Sequence, residues 1–261
     1  MNRKFIIFHQ PKTAGTFVSR CIPESYIFPH SKNYHYALNN NLINDEKLVC
    51  IVRNPYDYYI SLITFWCIDD QYVQEYNFDF KERLKRYNKK LLEDKINIKN
   101  HNVVTGHINF YISNGFTLKI KEILENLFND NFLKTHCHIL SERHHTYDYY
   151  VFHEMLRLNI GYYTFAFLDQ YGSKKITELK SNEDCLIEIK NIKKNFKILH
   201  TNKISSQLKE LCEELDVHCN ILNKRIMVSN KNLNNEFKLT DELKKYIYEK
   251  DKHIFDEFFN I

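Results

Sequence analysis

The sequence predicts a three-layer α/β fold with a central parallel β-sheet flanked by helices. Three short apolar runs carry this prediction, namely KFIIFH (4–9), KLVCIVR (47–53) and FKILHT (196–201). Each run is continuously apolar and has the length of a strand, which is typical of strands buried on both faces. A helical pattern follows each run, and strands that alternate with helices favour a parallel sheet.

The segments between the strands complete the predicted order of elements. The helix after the first strand must stop near Pro23, and residues 23–46 read as irregular. After the second strand, Asn54 is suited to cap a helix whose first residue is Pro55. An amphipathic helix is predicted over 206–217.

The C-terminal segment 240–259 reads as one long amphipathic helix with Thr240 as its cap. The chain of 261 residues shows no repeat and no clear linker, so we predict a single domain over 1–261. Within this domain we predict a helical region over 67–190, where the sequence pattern is least distinct.

Composition and charge exclude several classes of protein. A net charge of +4 allows an anionic ligand but is too small to indicate nucleic-acid binding. The seven cysteines are odd in number and form no C-x-x-C, which predicts reduced thiols. No run approaches the ~20 apolar residues of a spanning helix, and the first strand starts too early for a signal peptide. We therefore expect a soluble, cytoplasmic protein, with an oligomeric state that the sequence leaves open.

The stretch PKTAGT (11–16) joins the first strand to the first helix and has the composition of an anion-binding loop. Backbone N–H groups at a tight turn before a helix converge on phosphate-like anions, and a lysine adds a positive charge. This order of residues is P-loop-like, although it is not a Walker A loop, because the lysine precedes the only glycine. The candidate binding residues are Lys12, Thr13, Ala14, Gly15, Thr16 and Phe17.

A second candidate element, RNPYDYYIS (53–61), follows the second strand. Arg53 stands at the carboxyl end of a buried strand, where α/β proteins place their ligands. Ser61 lies eight residues further, about two helical turns away. A guanidinium at the strand end and a hydroxyl on the helix are suited to hold a second phosphate.

Taken together, the two elements resemble those of sulfotransferases that use 3′-phosphoadenosine 5′-phosphosulfate (PAPS), in particular the carbohydrate-type branch. Members of that branch carry a P-K-T-[AG]-[GS]-T loop and an R-[ND]-P-x-[DE]-x-x-x-S element, and both patterns are present here. The resemblance is sharp over about 5–22 and 47–66 and looser over 197–217 and 229–259. One departure is Tyr58, where many relatives have a basic residue.

This resemblance implies roles for the candidate residues. The first loop would hold the 5′-phosphosulfate, Arg53 and Ser61 would hold the 3′-phosphate, and Lys12 would neutralise the leaving group. The sulfuryl group would pass to a hydroxyl of a carbohydrate, a lipid or a small metabolite, and 67–190 would form the acceptor side. We expect no metal, because positioning and electrostatic stabilisation suffice for such a transfer.

The acceptor hydroxyl requires a general base, and histidine is suited to this role near neutral pH. His35 is favoured because the H-x-A pattern there resembles one of the family. His30, His9 and Glu24 are alternatives, as is a residue of the middle region.

Two other functions stay open at this point. A P-loop kinase or other phosphotransferase would need Mg²⁺ and a lysine after the glycines, and a non-catalytic nucleotide-binding module would lack a working base. The segment THCHILSERHH (135–145) raises the question of zinc, but its alternating ligands would point to opposite faces of a strand. The tyrosine-rich run GYYTFAF (161–167) is typical of core or of a cleft wall.

Overall fold

The computed structural model describes residues 3–10, 13–29, 32–66, 153–221, 239 and 241–259, with the backbone alone for 62–66 and 242. The chain divides into two compact units. One comprises Met1–Tyr59, Arg157–Val228 and Ile247–Ile261, and the other comprises Ile60–Leu156 and Ser229–Tyr246. The first unit contains the sheet. The prediction of a single domain over 1–261 stays a prediction.

The first unit is built on a parallel sheet whose described strands are β1 (Phe5–Phe8), β2 (Lys47–Val52) and β3 (Lys197–His200). They lie in the order β1-β2-β3, with Phe8 opposite Cys50 and Val52 opposite His200. All three strands fall inside the predicted apolar runs. The prediction of a central parallel sheet flanked by helices is thereby confirmed for the described residues, whereas the P-loop-like character stays a prediction.

Helices make up most of the remaining described chain. They are α1 (Gly15–Cys21), α2 (Tyr34–Asn39), α3 (Pro55–Trp66), α4 (Tyr162–Tyr171), α5 (Asn182–Asn195), α6 (Ile204–Glu214), α7 (Asp241–Lys250) and α8 (Lys252–Phe258). Residues 153–158 are also helical. Short 3₁₀ turns lie at Glu24–Tyr26, Ile176–Glu178 and Thr201–Lys203.

One face of the sheet packs against α1 and α6. Because side chains alternate along a strand, Phe5 and Ile7 of β1 point to this face. They join one buried apolar cluster with Val18 of α1 and Leu208 of α6. This packing fixes the direction in which α1 leaves the loop after β1.

The opposite face is aromatic. The Phe8 ring has its centroid 4.5 Å from that of Phe28, 5.7 Å from that of Tyr34 and 6.0 Å from that of Phe196. Tyr171 of α4 approaches the same Phe196 at 6.0 Å. Elements α2, α4 and the end of α5 therefore cover this face, and the sheet lies between two layers.

Two sequence expectations are corrected by the structure. Residues 23–46 are not irregular throughout, because they contain α2, whose first turn is capped by Asn33 Oδ1 accepting from the Tyr36 N–H at 2.9 Å. The C-terminal segment is not one helix, because it breaks at Asp251 between α7 and α8. Asp251 is fully buried, and its carboxylate holds another helix (see below). The predicted cap Thr240 lies outside the described residues.

The structure also bears on the predictions for thiols and membranes. The five cysteines among the described residues are all free. Within the same part of the chain, no helix combines the length and the apolar character that crossing a bilayer requires.

Candidate functional site

The loop after β1 begins with a closed turn. Both the N–H and the hydroxyl of Thr13 donate to the Gln10 carbonyl oxygen, at 3.3 and 2.6 Å. Thr13 is fully buried, so this turn is part of the packed structure rather than an exposed loop tip. Pro11 and Lys12 lie outside the described residues, and the role of Lys12 stays a prediction.

The backbone then adopts a conformation that favours anion binding. Ala14 is left-handed, with φ 64° and ψ 17°, and Gly15 follows as the first residue of α1. A left-handed residue beside a right-handed one turns successive N–H groups toward one point and forms an anion-binding nest. Phe17 and Val18 donate their N–H groups to the Ala14 carbonyl oxygen, at 3.0 and 3.1 Å. The N–H groups of Gly15 and Thr16 have no backbone acceptor among the described residues.

Gly15 is required by a close contact with His9. A Cβ atom at position 15 would lie 2.0 Å from His9 Nδ1 and 2.1 Å from His9 Cε1. The imidazole is 3% exposed, so it fills the space beside the Gly15 backbone and has little room to withdraw. The buried His9 ring therefore packs directly against the loop backbone at Gly15.

Gln10 is a buried polar residue that the sequence did not single out. Its side chain is fully buried next to the Tyr58 hydroxyl, and neither amide atom makes a hydrogen bond of normal geometry. A buried amide in this state destabilises the fold unless another group satisfies it. Within the described part of the chain, the Gln10 amide thus has a donor nitrogen and an acceptor oxygen that form no hydrogen bond of normal geometry.

Arg53 lies at the same edge of the sheet as the loop, because β1 and β2 are parallel and adjacent. It directly follows β2 and is half-buried. Asn54 caps α3 as predicted, since its Oδ1 accepts from the Tyr56 N–H at 3.0 Å. Ser61 is buried on α3 and belongs to the second unit, so its pairing with Arg53 stays a prediction.

Helix α4 holds the backbone of both candidate elements through two tyrosine hydroxyls. Tyr171 accepts from the Gln10 N–H at 3.1 Å and donates to the Ile51 carbonyl oxygen at 3.3 Å. Its hydroxyl thus bridges β1 and β2 where direct pairing ends. Tyr163 accepts from the Arg53 N–H at 2.9 Å. Burial raises the pKa of both hydroxyls well above the ordinary value, so both stay protonated at neutral pH.

The position of α4 depends in turn on Asp251. One carboxylate oxygen accepts from the N–H and the hydroxyl of Thr164, at 2.8 and 2.7 Å. The other accepts from the Tyr59 hydroxyl at 2.7 Å. A Cβ atom on Gly161, the residue before α4, would lie 2.4 Å from this carboxylate. Asp251 therefore caps α4 from a distant part of the chain, in the place of an N-cap side chain. Burial raises the pKa of Asp251 to about 6, against the opposing effect of these hydrogen bonds.

The candidate base His35 lies on α2 with both ring nitrogens engaged. Nδ1 is 2.8 Å from the Ser173 carbonyl oxygen, and Nε2 is 2.7 Å from the Asn39 side-chain nitrogen. Ser173 follows two residues after Tyr171, so α2 and the candidate loop are connected through the end of α4. Among the alternatives, His9 is buried under the loop, Glu24 is exposed, and His30 lies outside the described residues.

The structure therefore brings the loop of residues 13–17, with its nest at Ala14 and Gly15, and Arg53 to one edge of the sheet. The supporting roles of the two tyrosines and of Asp251 were not predicted, although GYYTFAF was assigned to the core or to a cleft wall. The segment 135–145 lies outside the described residues. Over the part of the chain that is described, no group of three or more histidine, cysteine or acidic residues is placed to hold a metal.

Comparison with known proteins identifies no relative. No protein-family model matches the chain, and neither the curated proteins nor the solved structures contain a significant match.

Proposed function

We propose that this chain is a sulfotransferase that moves a sulfuryl group from PAPS to an acceptor hydroxyl, with carbohydrate as the favoured acceptor class. The observation that carries the proposal is the backbone nest at Ala14 and Gly15, which opens at the same sheet edge as Arg53. Two separate elements suited to anions at one edge match a donor with two phosphate positions. The motifs PKTAGT and RNPYDYYIS supply the identity of that donor.

The nest and Arg53 divide the donor between them in this proposal. Within the candidate residues 13–17, the N–H groups of Gly15 and Thr16 hold the 5′-phosphosulfate together with the ammonium of Lys12, because those of Thr13 and Phe17 already donate to backbone carbonyls of the loop. Arg53 and Ser61 hold the 3′-phosphate. Because the backbone of Gln10 and Arg53 is held by α4, both parts of the site are positioned before the donor binds, which lowers the entropy lost on binding.

The chemical step is an in-line displacement at sulfur. The acceptor oxygen forms a bond to sulfur while the bond from sulfur to the phosphate oxygen breaks, releasing adenosine 3′,5′-bisphosphate. Negative charge grows on the leaving phosphate oxygen, where Lys12 and the backbone N–H groups stabilise it. The acceptor proton passes to the base, for which His35 is the candidate. The scheme contains no metal, and a cytoplasmic location belongs to the same proposal.

The experiment that tests this assignment compares two ligands that differ by one phosphate. Adenosine 3′,5′-bisphosphate and AMP are titrated calorimetrically into the protein and into Arg53→Ala. Hydrogen bonds to charged groups contribute about 1.5–3 kcal/mol, which is about 10- to 150-fold in Kd. The bisphosphate should therefore bind more tightly than AMP by at least this factor, and Arg53→Ala should remove most of the preference.

A matched control separates this effect from loss of charge. Arg20 is exposed at the end of α1, so Arg20→Ala removes the same charge away from the sheet edge. It should keep the preference. Equal affinity for both ligands, or tighter binding of ATP–Mg²⁺, would overturn the proposal and favour a kinase. A third outcome is that adenosine 3′,5′-bisphosphate binds normally, no acceptor assay shows sulfuryl transfer, and His35→Ala changes neither result. This outcome would favour a non-catalytic binding module.

A further inference from the structure

His35 participates in a chain of hydrogen bonds that reaches a buried carboxylate. Glu188 of α5 is 2% exposed, and its Oε1 accepts from both the N–H and the hydroxyl of Ser173, at 2.5 and 2.7 Å. The carbonyl oxygen of the same Ser173 faces His35 Nδ1 at 2.8 Å. The N–H and the hydroxyl of Ser173 thus bind a buried carboxylate, while its carbonyl oxygen contacts the His35 imidazole.

The turn after α4 brings Ser173 to this position. Gly172 donates its N–H to the Leu168 carbonyl oxygen at 2.8 Å, and a Cβ atom on Gly172 would lie 2.5 Å from that oxygen. Because Gly172 has no side chain, the backbone can turn sharply at the end of α4. Tyr34, the neighbour of His35, is also close to Glu188, whose charge adds to burial in raising the pKa of the tyrosine hydroxyl. Helices α2 and α5 therefore meet at Ser173.

The contacts of His35 select one tautomer. A carbonyl oxygen can only accept, so the hydrogen of the neutral ring must be on Nδ1. The lone pair is then on Nε2, where the Asn39 amide nitrogen donates at 2.7 Å. The other tautomer would set the Nδ1 lone pair against the carbonyl oxygen and would lose this hydrogen bond. The Ser173 contact thus selects the form, and the Asn39 amide is oriented to match it.

We infer that Glu188 and Ser173 are positioning residues that fix His35 with Nε2 as its basic nitrogen, and that Asn39 occupies this nitrogen until an acceptor hydroxyl displaces it. The inference rests on the proposed function for the role of His35 as base. Asn39 is exposed and lies one helical turn from His35, so its amide is free to rotate away from the imidazole.

After transfer, the proton of the acceptor hydroxyl is on His35 Nε2 and Nδ1 keeps its own, so the ring becomes a cation. The Ser173 carbonyl oxygen, held in place by Glu188, still accepts from the Nδ1–H of this cation. In a Ser-His-Asp triad, replacing the aspartate that fixes the histidine tautomer lowers kcat by about 10⁴.

The test reads the tautomer directly by long-range proton–nitrogen NMR on the full chain labelled with nitrogen-15. The His35 signals are assigned by their loss in His35→Gln. At a pH where the ring is neutral, we expect Nδ1 to show the shift of a protonated nitrogen and Nε2 that of an unprotonated one. The opposite pattern in the unmodified protein would overturn the inference without need of any variant.

The variants then separate the positioning residues. Glu188→Ala should give a mixture of tautomers, whereas Glu188→Gln keeps an acceptor oxygen and should restore the single form. If Glu188→Ala does not fold, Glu188→Leu replaces it, because leucine fills the buried space and likewise removes both acceptor oxygens. Asn39→Ala should leave the tautomer unchanged, since the Ser173 contact remains. An unchanged tautomer in Glu188→Ala, or in Glu188→Leu where it stands in, would refute the positioning role.

Activity gives a separate readout. In the sulfuryl-transfer assay, Glu188→Ala should lower kcat at least tenfold while the KM for PAPS stays constant, and Glu188→Gln should recover most of the loss. If adenosine 3′,5′-bisphosphate does not bind at all, the proposed function fails, while the tautomer measurement still decides whether Glu188 and Ser173 hold His35.

Discussion

Gly15→Ala tests whether the contact between His9 and the loop maintains the candidate site. The new Cβ atom would lie 2.0 Å from His9 Nδ1 and 3.0 Å from His9 Cγ, far inside van der Waals contact. Because the ring is buried, either the imidazole or the loop must move by more than 1 Å, and overpacking of this kind costs about 1–3 kcal/mol. Alanine also improves helix propensity by up to about 1 kcal/mol, which opposes this cost. We expect a net loss of about 1–2 kcal/mol.

Urea denaturation and calorimetry measure the two consequences of this substitution. Stability should fall by the stated amount, and the affinity for adenosine 3′,5′-bisphosphate should fall at least tenfold because the nest moves. The control is the same substitution in a His9→Ala background, where the obstacle is gone. There Gly15→Ala should be neutral or slightly stabilising, so the double-mutant cycle should give a coupling energy of at least about 1 kcal/mol. An equal loss of stability in both backgrounds would refute the role of the His9 contact.

Three further predictions concern the loop, the tyrosine contacts and the buried carboxylate. Ala14→Gly should stabilise the protein by about 0.5 kcal/mol, because relief of the left-handed conformation outweighs the added chain entropy, and a measured loss would contradict the strain at this position. Tyr163→Phe leaves the Arg53 N–H without its acceptor and should cost about 1–3 kcal/mol, with weaker bisphosphate binding; unchanged urea midpoints would contradict this. The pKa of Asp251 is about 6 in the folded protein and 3.8 as its ordinary value, so between these pH values only the folded state holds the proton. Its contribution should therefore be fully present below pH 3.8 and be lost as pH rises to 6, by about 3 kcal/mol at most. Asp251→Asn should flatten this slope, and parallel stability curves for the two proteins would contradict it.

The sheet was predictable from the sequence because its strands are continuous apolar runs. The structure places β1 at Phe5–Phe8 within the predicted 4–9 and β3 at Lys197–His200 within the predicted 196–201. The position of Arg53 at the sheet edge followed from the same pattern, since it directly follows such a run. The cap at Asn54 was predictable because its donors are local in sequence.

The supporting contacts were not predictable, because their partners are distant in the chain. Asp251 lies in the charged stretch EKDKH, which has the pattern of an exposed helical face, and its burial depends on Thr164 and Tyr59. Tyr163 lies in the run GYYTFAF, which was assigned to the core or to a cleft wall, but no local signal shows that its hydroxyl accepts from the Arg53 N–H. The helix α2 was missed because it is short and its anchor, Tyr34, packs on Phe8 across the fold.

The most direct test of the central claim is a calorimetric titration of the unmodified protein with adenosine 3′,5′-bisphosphate, beside AMP and ATP–Mg²⁺. The proposed site predicts tight binding of the bisphosphate with one ligand per chain, and at least tenfold weaker binding of the other two. Tighter binding of ATP–Mg²⁺, or no heat of binding with any of the three, would contradict the assignment of the nest and Arg53 to a PAPS site.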